Sequence, residues 1–191
     1  MHLKRLFDLC GAFLLLMVFS PAMLLIGCLI RLSSKGPVIY HQKRVGLENK
    51  VFTIYKFRTM EDRSEKVGID VTSNGDPRIT RIGRFLRSSR LDELPQLWNV
   101  IWGDMSLVGP HPYRPEIAKL ISSNSYGYAK RTKMKPGVTG LAKVIRGNSK
   151  ELDGLMQDLR YDILYVKKWS IAMDVVILLK TPYIMWKRTG I

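Results

Sequence analysis

Cysteine, histidine and acidic residues are all scarce in this chain of 191 residues. Cys10 and Cys28 both lie inside an apolar run, so no disulfide framework is predicted and a reducing compartment is favoured. His2, His41 and His111 have no metal-ligand spacing with the cysteines, which argues against a zinc site. Sixteen acidic residues stand against 31 Lys and Arg, and the net charge of +15 predicts polyanionic partners: nucleic acid, anionic lipid or phosphorylated small molecules.

The longest uncharged run covers residues 9–30. As a straight helix it would span about 33 Å, enough to cross a bilayer. A Ser-Pro pair interrupts its middle: Pro21 lacks a backbone donor, and the Ser20 hydroxyl can bond back to a carbonyl three or four residues earlier. This pattern predicts a bend in the middle of the membrane segment.

Basic residues flank the run on both sides, Lys4 and Arg5 before it and Arg31 and Lys35 after it. Because positive charge prefers the cytoplasmic side, both ends favour the same face of the membrane. This pattern favours a re-entrant helix hairpin over residues 1–35, followed by a cytoplasmic, membrane-associated catalytic domain over 36–191. A kinked helix that crosses the membrane stays open as the alternative.

The next stretch contains turn and helix-start signals. Residues 37–59 have β-rich runs around the turn-like "GLENK" and predict a β-hairpin, and the polar residues 61–76 predict a loop or lid. Asp76 followed by Pro77 predicts a helix start. On that helix Ile79, Ile82, Phe85 and Leu86 would lie on one side. Four arginines would share the opposite sector: Arg78, Arg81, Arg84 and Arg87. The structural alternative is a solvated basic face over a buried stripe.

The adjacent acids Asp92 and Glu93 follow in "LDELPQLWNVIWGDMSLVGP". Pro95 fits a first helical turn, which would put both carboxylates at a helix N-terminus; a longer helix kinked at Pro95 stays open. Such acids can bind Mg²⁺, and one can be a nucleophile on phosphorus, although an ordinary helix N-terminus needs neither. The proline-rich "GPHPYRP" after them predicts a rigid, exposed turn.

The last third predicts a basic loop followed by helices. "KMKPGVTGLAK" (133–143) is a Gly/Pro-punctuated loop that could cradle phosphate with backbone N–H groups. Residues 167–188 have an apolar middle, aromatic residues and cationic ends, which is typical of a helix lying in the membrane interface. Ser170 is its expected N-cap, and a buried amphipathic helix is the alternative.

Several of these stretches together resemble the bacterial sugar transferases, the monotopic polyprenyl-phosphate phosphoglycosyl transferases. The resemblance is carried by "KRLFDL", the central Ser-Pro, "GPVIYHQKRVGLENKVFTIYKFRTM", "TRIGRFLRSSRLDELPQLWNVIWGDMSLVGP", "KPGVTGLA" and "YDILYVKKWSIAMDVVILL". It implies a helix-rich α/β fold: a small globular domain with a short β-hairpin, a re-entrant helix kinked at Ser20-Pro21, and interfacial amphipathic helices. The resemblance implies the short, minimal form of the family, without the extra N-terminal membrane domain of the larger members.

The resemblance also implies a reaction and a set of roles. A sugar-1-phosphate would move from a UDP-sugar to polyprenyl (undecaprenyl) phosphate, with UMP released, on the cytoplasmic face of the bacterial inner membrane. Asp92 would form an aspartyl-phosphosugar, and the acid pair Asp92 and Glu93 would hold Mg²⁺. Arg87 matches a phosphate-contacting arginine of the family. Further candidate phosphate contacts are Lys56, Arg58, Arg84, His111, Arg114 and Lys135. Nucleic acid is not an expected partner, and a homodimer stays open.

This chain departs from the family pattern near the expected site. The family's "GPRP" is "GPHP", so His111 replaces an arginine associated with substrate phosphates, and Arg114 could compensate. In "PGVTGLAK", Leu141 replaces a Trp and Lys143 replaces a Gln. Because of these departures, an inactive scaffold of the same fold stays open, as does a membrane-anchored polyanion-binding module suggested by the basic charge.

Overall fold

The computed structural model describes residues 2–61, 76–147 and 151–186. The helices are α1 (His2–Ser33), α2 (Arg81–Ser89), α3 (Gln96–Trp102), α4 (Pro115–Asn124), α5 (Tyr128–Arg131), α6 (Leu141–Arg146), α7 (Leu152–Lys168) and α8 (Ile171–Trp186). The strands are β1 (Ile39–Val45), β2 (Val51–Phe57), β3 (Ser106–Val108) and β4 (Gly137–Thr139). This confirms a helix-rich α/β fold with a short hairpin. The expected lid over 61–76 lies, except at its two ends, outside the described residues.

Helix α1 runs through the Ser-Pro pair as one helix, with Pro21 inside it. The Ser20 hydroxyl donates to the carbonyl of Met17 at 3.1 Å, as predicted. Among the described helices, α1 is the one long and apolar enough to cross a membrane. Much of its apolar surface is exposed, and the Met17 side chain is 76% accessible. Whether the chain re-enters at one face stays a prediction.

Both ends of α1 pack on the same globular body. Near its start, Ala12 is buried in the main core with Met105 and Leu107. Near its end, Ile26 and Ile30 pack in a second cluster that contains Phe57 from β2. The helix therefore lies along the domain, and its apolar outer side is left uncovered within the described part of the chain.

The basic residues before the apolar run are used inside the protein. The Lys4 ammonium lies 2.7 Å from the Asp174 carboxylate of α8 and 3.3 Å from Asp8 of its own helix. Asp8 also accepts from the Ser106 hydroxyl at 2.9 Å. Arg5 donates to the carbonyls of Val100 (2.5 Å) and Ile101 (2.6 Å), at the negative end of the α3 dipole. These contacts fix the start of α1 to β3, α3 and α8.

The predicted β-hairpin is confirmed. Strands β1 and β2 pair antiparallel from Ile39 opposite Phe57 to Val45 opposite Val51, around a short 3₁₀ turn. The side chain of Asn99 joins α3 to β2, because it accepts from the Tyr55 N–H and donates to the Thr53 carbonyl. Since α3 directly follows the acid pair, this contact places the hairpin beside that pair.

The helix predicted to start at Asp76 begins later, at Arg81. Thr80 is its N-cap, with its side chain accepting from the Gly83 N–H. Asp76 instead binds the backbone N–H and the guanidinium of Arg78. The Thr80 hydroxyl binds a free backbone N–H in the first turn of α2, as an N-cap does. Asp76 stabilises a separate turn before the helix. Phe85, which the alternative of a buried stripe would place in the interior, is 58% exposed.

The two Gly/Pro-rich stretches pack against each other, and each prediction was wrong in part: a segment of the expected loop is a strand, and the expected exposed turn is mostly buried. Residues 137–139 of the expected loop are β4, which pairs parallel with β3. Most of "GPHPYRP" is buried, although it is irregular as predicted. At Gly109 an added Cβ would lie 2.4 Å from the Lys135 carbonyl oxygen. Close backbone packing at glycine thus allows this proline-rich segment to enter the interior.

Helices α7 and α8 close the domain. The Ser170 hydroxyl accepts from the Met173 N–H at 3.1 Å, which confirms the predicted N-cap. In α8, Asp174 and Ile177 are buried, whereas Leu179 and Tyr183 are 74% and 60% exposed. One side of α8 therefore packs on the core. The membrane-interface placement of the other side stays a prediction.

Candidate active site

The acid pair sits in a turn between two helices. Helix α2 ends where Arg90 adopts a left-handed conformation (φ 56°), and Leu91–Glu93 form a 3₁₀ turn that leads through Pro95 into α3. The longer helix kinked at Pro95 is thereby excluded. Leu91 and Leu94 pack toward α1, in the cluster that contains Phe57. The leucines face the α1 side of the turn, and the ion pairs of Glu93 are made with other elements.

Glu93 is held by two lysines from distant parts of the chain. Its Oε1 accepts from Lys56 of β2 at 2.8 Å, and its Oε2 accepts from Lys143 of α6 at 2.5 Å. Lys143 also donates to the Val138 carbonyl at 3.0 Å. Burial opposes ionisation of Glu93, but Lys143 and Lys56 outweigh it and hold its pKa well below the usual range. Glu93 is therefore a carboxylate at neutral pH.

Asp92 has a different environment from its neighbour. Within residues 2–61, 76–147 and 151–186 its carboxylate makes no hydrogen bond or ion pair, and it is only partly buried. Burial raises the pKa of Asp92 to about 6, with Glu93 adding to the rise, while Lys56 and Arg87 act against it. Asp92 is thus ionised at pH 7 but weakly stabilised, as a carboxylate nucleophile requires.

Arg87 is brought to the acid pair, as the sequence predicted. Its Nε donates to the Thr59 hydroxyl at 2.8 Å, which orients the guanidinium. Burial lowers the pKa of Arg87, and the nearby Asp92 raises it. Because Arg87 lies close enough to Asp92 for their charges to interact and its guanidinium has further N–H donors, it is suited to bind a phosphate that approaches this carboxylate.

His111 also reaches the site. Burial lowers its pKa well below the usual range, and the positive charges of Lys143 and Arg44 lower it further. The imidazole is therefore neutral at pH 7. Arg131 donates to the His111 carbonyl and binds Asp162, its guanidinium carbon lying 4.3 Å from the Tyr113 ring centre. These contacts fix the His111 segment beside the acid pair.

Other predicted phosphate contacts are placed elsewhere. The Arg58 guanidinium binds the carbonyls of Ser34 and Lys35 at the end of α1, so its donors serve the fold. Lys135 lies beside Gly103, at the opposite end of α3 from the acids. Arg84 is exposed on α2. Arg114 directly precedes α4. Burial lowers the pKa of Arg44 to about 10, and the charge of the nearby Arg114 contributes to this decrease. Arg114 therefore borders the site.

Three basic residues of the site were not predicted. Lys143 contacts Glu93 directly, Arg90 helps to lower the pKa of that acid, and Arg44 lies close enough to His111 to lower its pKa. The departure from the family pattern at position 143 was the available signal for Lys143. For Arg44 and Arg90, nothing in the local pattern distinguishes them from the other basic residues of the chain.

An apolar groove lies along α1, next to β2 and α3, the two elements that carry Lys56 and follow the acid pair. Its volume is about 1020 Å³, and it lies between α1 and the faces of β2 and α3. Phe13, Met17 and Leu24 line it on one side, and Phe57 and Trp98 on the other. Arg31 is the charged residue among its lining residues. Phe57, which lines the groove, directly follows Lys56, which binds Glu93. The groove and the Glu93 contacts therefore lie on opposite sides of the end of β2.

The chain belongs to the bacterial sugar transferase family, whose pattern it matches over residues 1–188. It is 42% identical over 96% of its length to a UDP-glucose:undecaprenyl-phosphate glucose-1-phosphate transferase of Klebsiella pneumoniae, of which it covers 40%. It is 42% identical to a transferase of the same description from Caulobacter vibrioides, over 93% of this chain and 67% of that one. An uncharacterized sugar transferase of Bacillus subtilis is 40% identical, over 95% and 86%. The chain thus spans less than half the length of the Klebsiella relative.

Proposed function

We propose that this protein transfers a sugar-1-phosphate from a UDP-sugar to a polyprenyl phosphate and releases UMP. The observation that carries the proposal is the contrast within the acid pair: Asp92 is an open carboxylate, whereas Glu93 is neutralised by Lys56 and Lys143. The site thereby combines a nucleophile with a surrounding excess of cations, which is what attack of an anion on a diphosphate requires. The names of the relatives support the donor and acceptor classes.

The arrangement supports a covalent transfer through Asp92, which we propose as the mechanism. One carboxylate oxygen of Asp92 attacks the β-phosphorus of the UDP-sugar, and the bond from that phosphorus to the bridging oxygen breaks. UMP leaves with the electron pair, and the sugar phosphate stays bound to Asp92. An oxygen of the polyprenyl phosphate then attacks the same phosphorus and expels the Asp92 carboxylate. Arg87 and the two lysines stabilise the phosphate charge in both steps.

The carboxylates of Asp92 and Glu93 are of the type that would hold a magnesium ion. Mg²⁺ usually takes one or two carboxylates and completes its shell with waters and substrate phosphates. Asp92 is open to such an ion. Both oxygens of Glu93 accept from lysines, so Glu93 could join it only where a lysine turns to a phosphate. A bound Mg²⁺ would supply charge neutralisation at the diphosphate, and Asp92 and Glu93 would hold it.

The packing of α1 supports a membrane-surface site on one face of the bilayer. Asp8, near the start of α1, accepts from the backbone N–H of Leu107, and Ile30, near its end, packs with Phe57. These positions are about 33 Å apart along the helix, roughly the thickness of the hydrocarbon layer. A crossing helix would force the polar contacts of one domain through the membrane. We infer a helix that enters and returns on the cytoplasmic face, with the groove open to the prenyl chain of the acceptor.

The activity is tested by UMP release from a panel of UDP-sugars with undecaprenyl phosphate and Mg²⁺. Asp92→Asn is expected to abolish release, and the matched Asp153→Asn variant, altered in the first turn of α7, is expected to retain it. A radiolabelled sugar phosphate should be trapped on a peptide that contains Asp92 when acceptor is withheld. Full turnover by Asp92→Asn, or a label on another residue, would refute the mechanism. Absence of turnover with every donor would favour the inactive scaffold.

The topology is tested by cysteine labelling in sealed vesicles. Cys10 and Cys28 are first replaced by serine, because both are exposed. Single cysteines are then placed at Leu3 and Lys35, which are exposed at the two ends of α1. A membrane-impermeant maleimide is expected to label both from the same side. Labelling from opposite sides would show a crossing helix.

A further inference from the structure

One face of the β-hairpin is turned toward the acid pair. Lys56 of β2 binds Glu93 at 2.8 Å, and its cross-strand partner in β1 is Tyr40. Cross-strand partners share a face of the sheet, and so do alternate residues of one strand. Tyr40, Gln42 and Arg44 therefore stand on the side of the hairpin that carries Lys56. We call these three residues the β1 row.

Both ends of the β1 row reach charged groups of the site. Arg44 lies close enough to Glu93 for their charges to interact. Tyr40 lies close enough to Arg87 for the same to hold. Since Gln42 stands between Tyr40 and Arg44, its side chain belongs to the edge of the same site.

The amide of Gln42 is held in one orientation by Arg44. Its Oε1 accepts from the Arg44 Nη2 at 2.6 Å, while the Arg44 Nη1 donates to the Pro112 carbonyl at 2.9 Å. A guanidinium has donors only, so the amide oxygen faces it and the amide nitrogen is left for another partner. Gln42 is half-buried, and within the described part of the chain its two N–H groups bind no protein group.

This fixed orientation makes Gln42 a selective group. An amide that is free to turn can meet either a donor or an acceptor, whereas the amide of Gln42 has only its donors to offer. Phosphate oxygens are bound more strongly by the neighbouring cations Arg44 and Lys56, because charged hydrogen bonds are stronger than neutral ones. The N–H groups of Gln42 are therefore suited to a neutral oxygen whose identity matters, such as the O4 carbonyl of uracil. Cytosine carries an amino group at that position.

The position of Gln42 along β1 suits the base end of a nucleotide. Gln42 lies two residues, about 7 Å, further toward the hairpin turn than Tyr40, the partner of Lys56. In the proposed reaction the β-phosphorus lies at Asp92, and the uracil ring is at the far end of UDP. A residue that reads the base has to be displaced from the acids, as Gln42 is.

We propose that the Gln42 amide donates a hydrogen bond to O4 of the uracil ring of the UDP-sugar and thereby selects uridine nucleotides over cytidine nucleotides. The proposal rests on the proposed function and identifies a specificity residue of that site. Arg44 is the positioning residue, because it holds the amide oxygen. A site built to make such a bond rejects an analogue that cannot accept it, because a polar group is then left unpaired.

The main test uses Gln42→Glu, which keeps an acceptor for Arg44 and removes both N–H donors. Equilibrium dissociation constants are measured for UDP and for CDP with Mg²⁺. The two nucleotides carry the same charge, so any repulsion by the new carboxylate cancels in their ratio. We expect the preference for UDP over CDP to fall by about 10-fold or more, because the bond to O4 is lost and the cytosine amino group can donate to the carboxylate. Gln157→Glu, at an exposed glutamine of α7, is the matched control and should keep the wild-type ratio.

A second variant adds no charge. Gln42→Met removes the donors and the acceptor, and it should weaken UDP binding by about 3- to 10-fold without weakening CDP binding, the loss of one neutral hydrogen bond. KM for undecaprenyl phosphate should stay at the wild-type value. The unfolding temperature is recorded for every variant, and if Gln42→Glu does not fold, Gln42→Met provides the test.

The outcomes separate the role of Gln42 from the proposed function. A wild-type protein that binds no UDP and releases no UMP from any UDP-sugar would refute the proposed function. An active wild type whose preference for UDP over CDP is unchanged in Gln42→Glu would overturn the role of Gln42 alone. A purely structural glutamine predicts that result, because glutamate preserves the Arg44 contact. Equal losses of UDP and CDP binding in Gln42→Met would also overturn it.

Discussion

Replacing each member of the acid pair by its amide should change stability in opposite directions. Asp92 and Glu93 are adjacent and differ by one methylene, yet burial raises the pKa of Asp92 from 3.8 to about 6, whereas two lysines hold the pKa of Glu93 well below 4.5. The folded protein therefore disfavours the charge on Asp92 and favours the charge on Glu93.

The magnitude for Asp92→Asn follows from the pKa of Asp92. In the unfolded chain its proton is lost near pH 3.8 and in the folded chain near pH 6, so the folded state binds more protons between these values. Stability therefore falls as pH rises through this window. At pH 7 the ionised carboxylate costs up to about 3 kcal/mol, which the amide removes. For a domain of this size Tm should rise by up to about 10 °C.

Glu93→Gln should do the reverse. It leaves Lys56 and Lys143 buried without their carboxylate, and removing one partner of a buried pair costs about 3–5 kcal/mol. The assay is thermal unfolding followed by tryptophan fluorescence in detergent, without substrate and with EDTA, at pH 7.5 and again at pH 4. The advantage of Asp92→Asn should shrink strongly at pH 4. A destabilised Asp92→Asn variant, or changes of the same sign for both, would refute the reasoning.

Four further results are expected. Because Asp92 must be ionised to attack and its pKa is about 6, kcat/KM should rise with pH up to about 6 and then level off; a profile that is flat from pH 5 to 8 would contradict this. Lys4→Met should destabilise the fold by about 3–5 kcal/mol in thermal unfolding, since it removes the cation that pairs with the buried Asp174 carboxylate. Asn99→Ala should cost about 1–3 kcal/mol, because two backbone groups of β2 lose their partner, and an unchanged Tm would count against that contact. Gly27→Trp, which projects into the apolar groove, should raise KM for the prenyl acceptor more than KM for the donor.

The sequence predicted the local elements well where a short-range signal existed. The alternating residues around "GLENK" are a hairpin, Ser170 is an N-cap, and Ser20 bonds back to Met17. The predicted start of α2 was wrong. Asp76 and Thr80 are both residue types that act as N-caps, and the local sequence does not distinguish between them. The pairing that makes residues 137–139 a strand involves β3, about thirty residues earlier, and no local pattern indicates it.

By itself the sequence identified the family, the apolar α1 helix and the Asp92-Glu93 pair as the candidate site, because these depend on neighbouring residues and on motifs. Only the tertiary structure decided that the two acids differ. Lys56 and Lys143 lie 37 and 50 positions from Glu93, and they meet it because β2 and α6 pack against the same turn. Burial and charge at a site are sums over residues from the whole chain, so the ionisation of Asp92 and of Glu93 is a property of the fold.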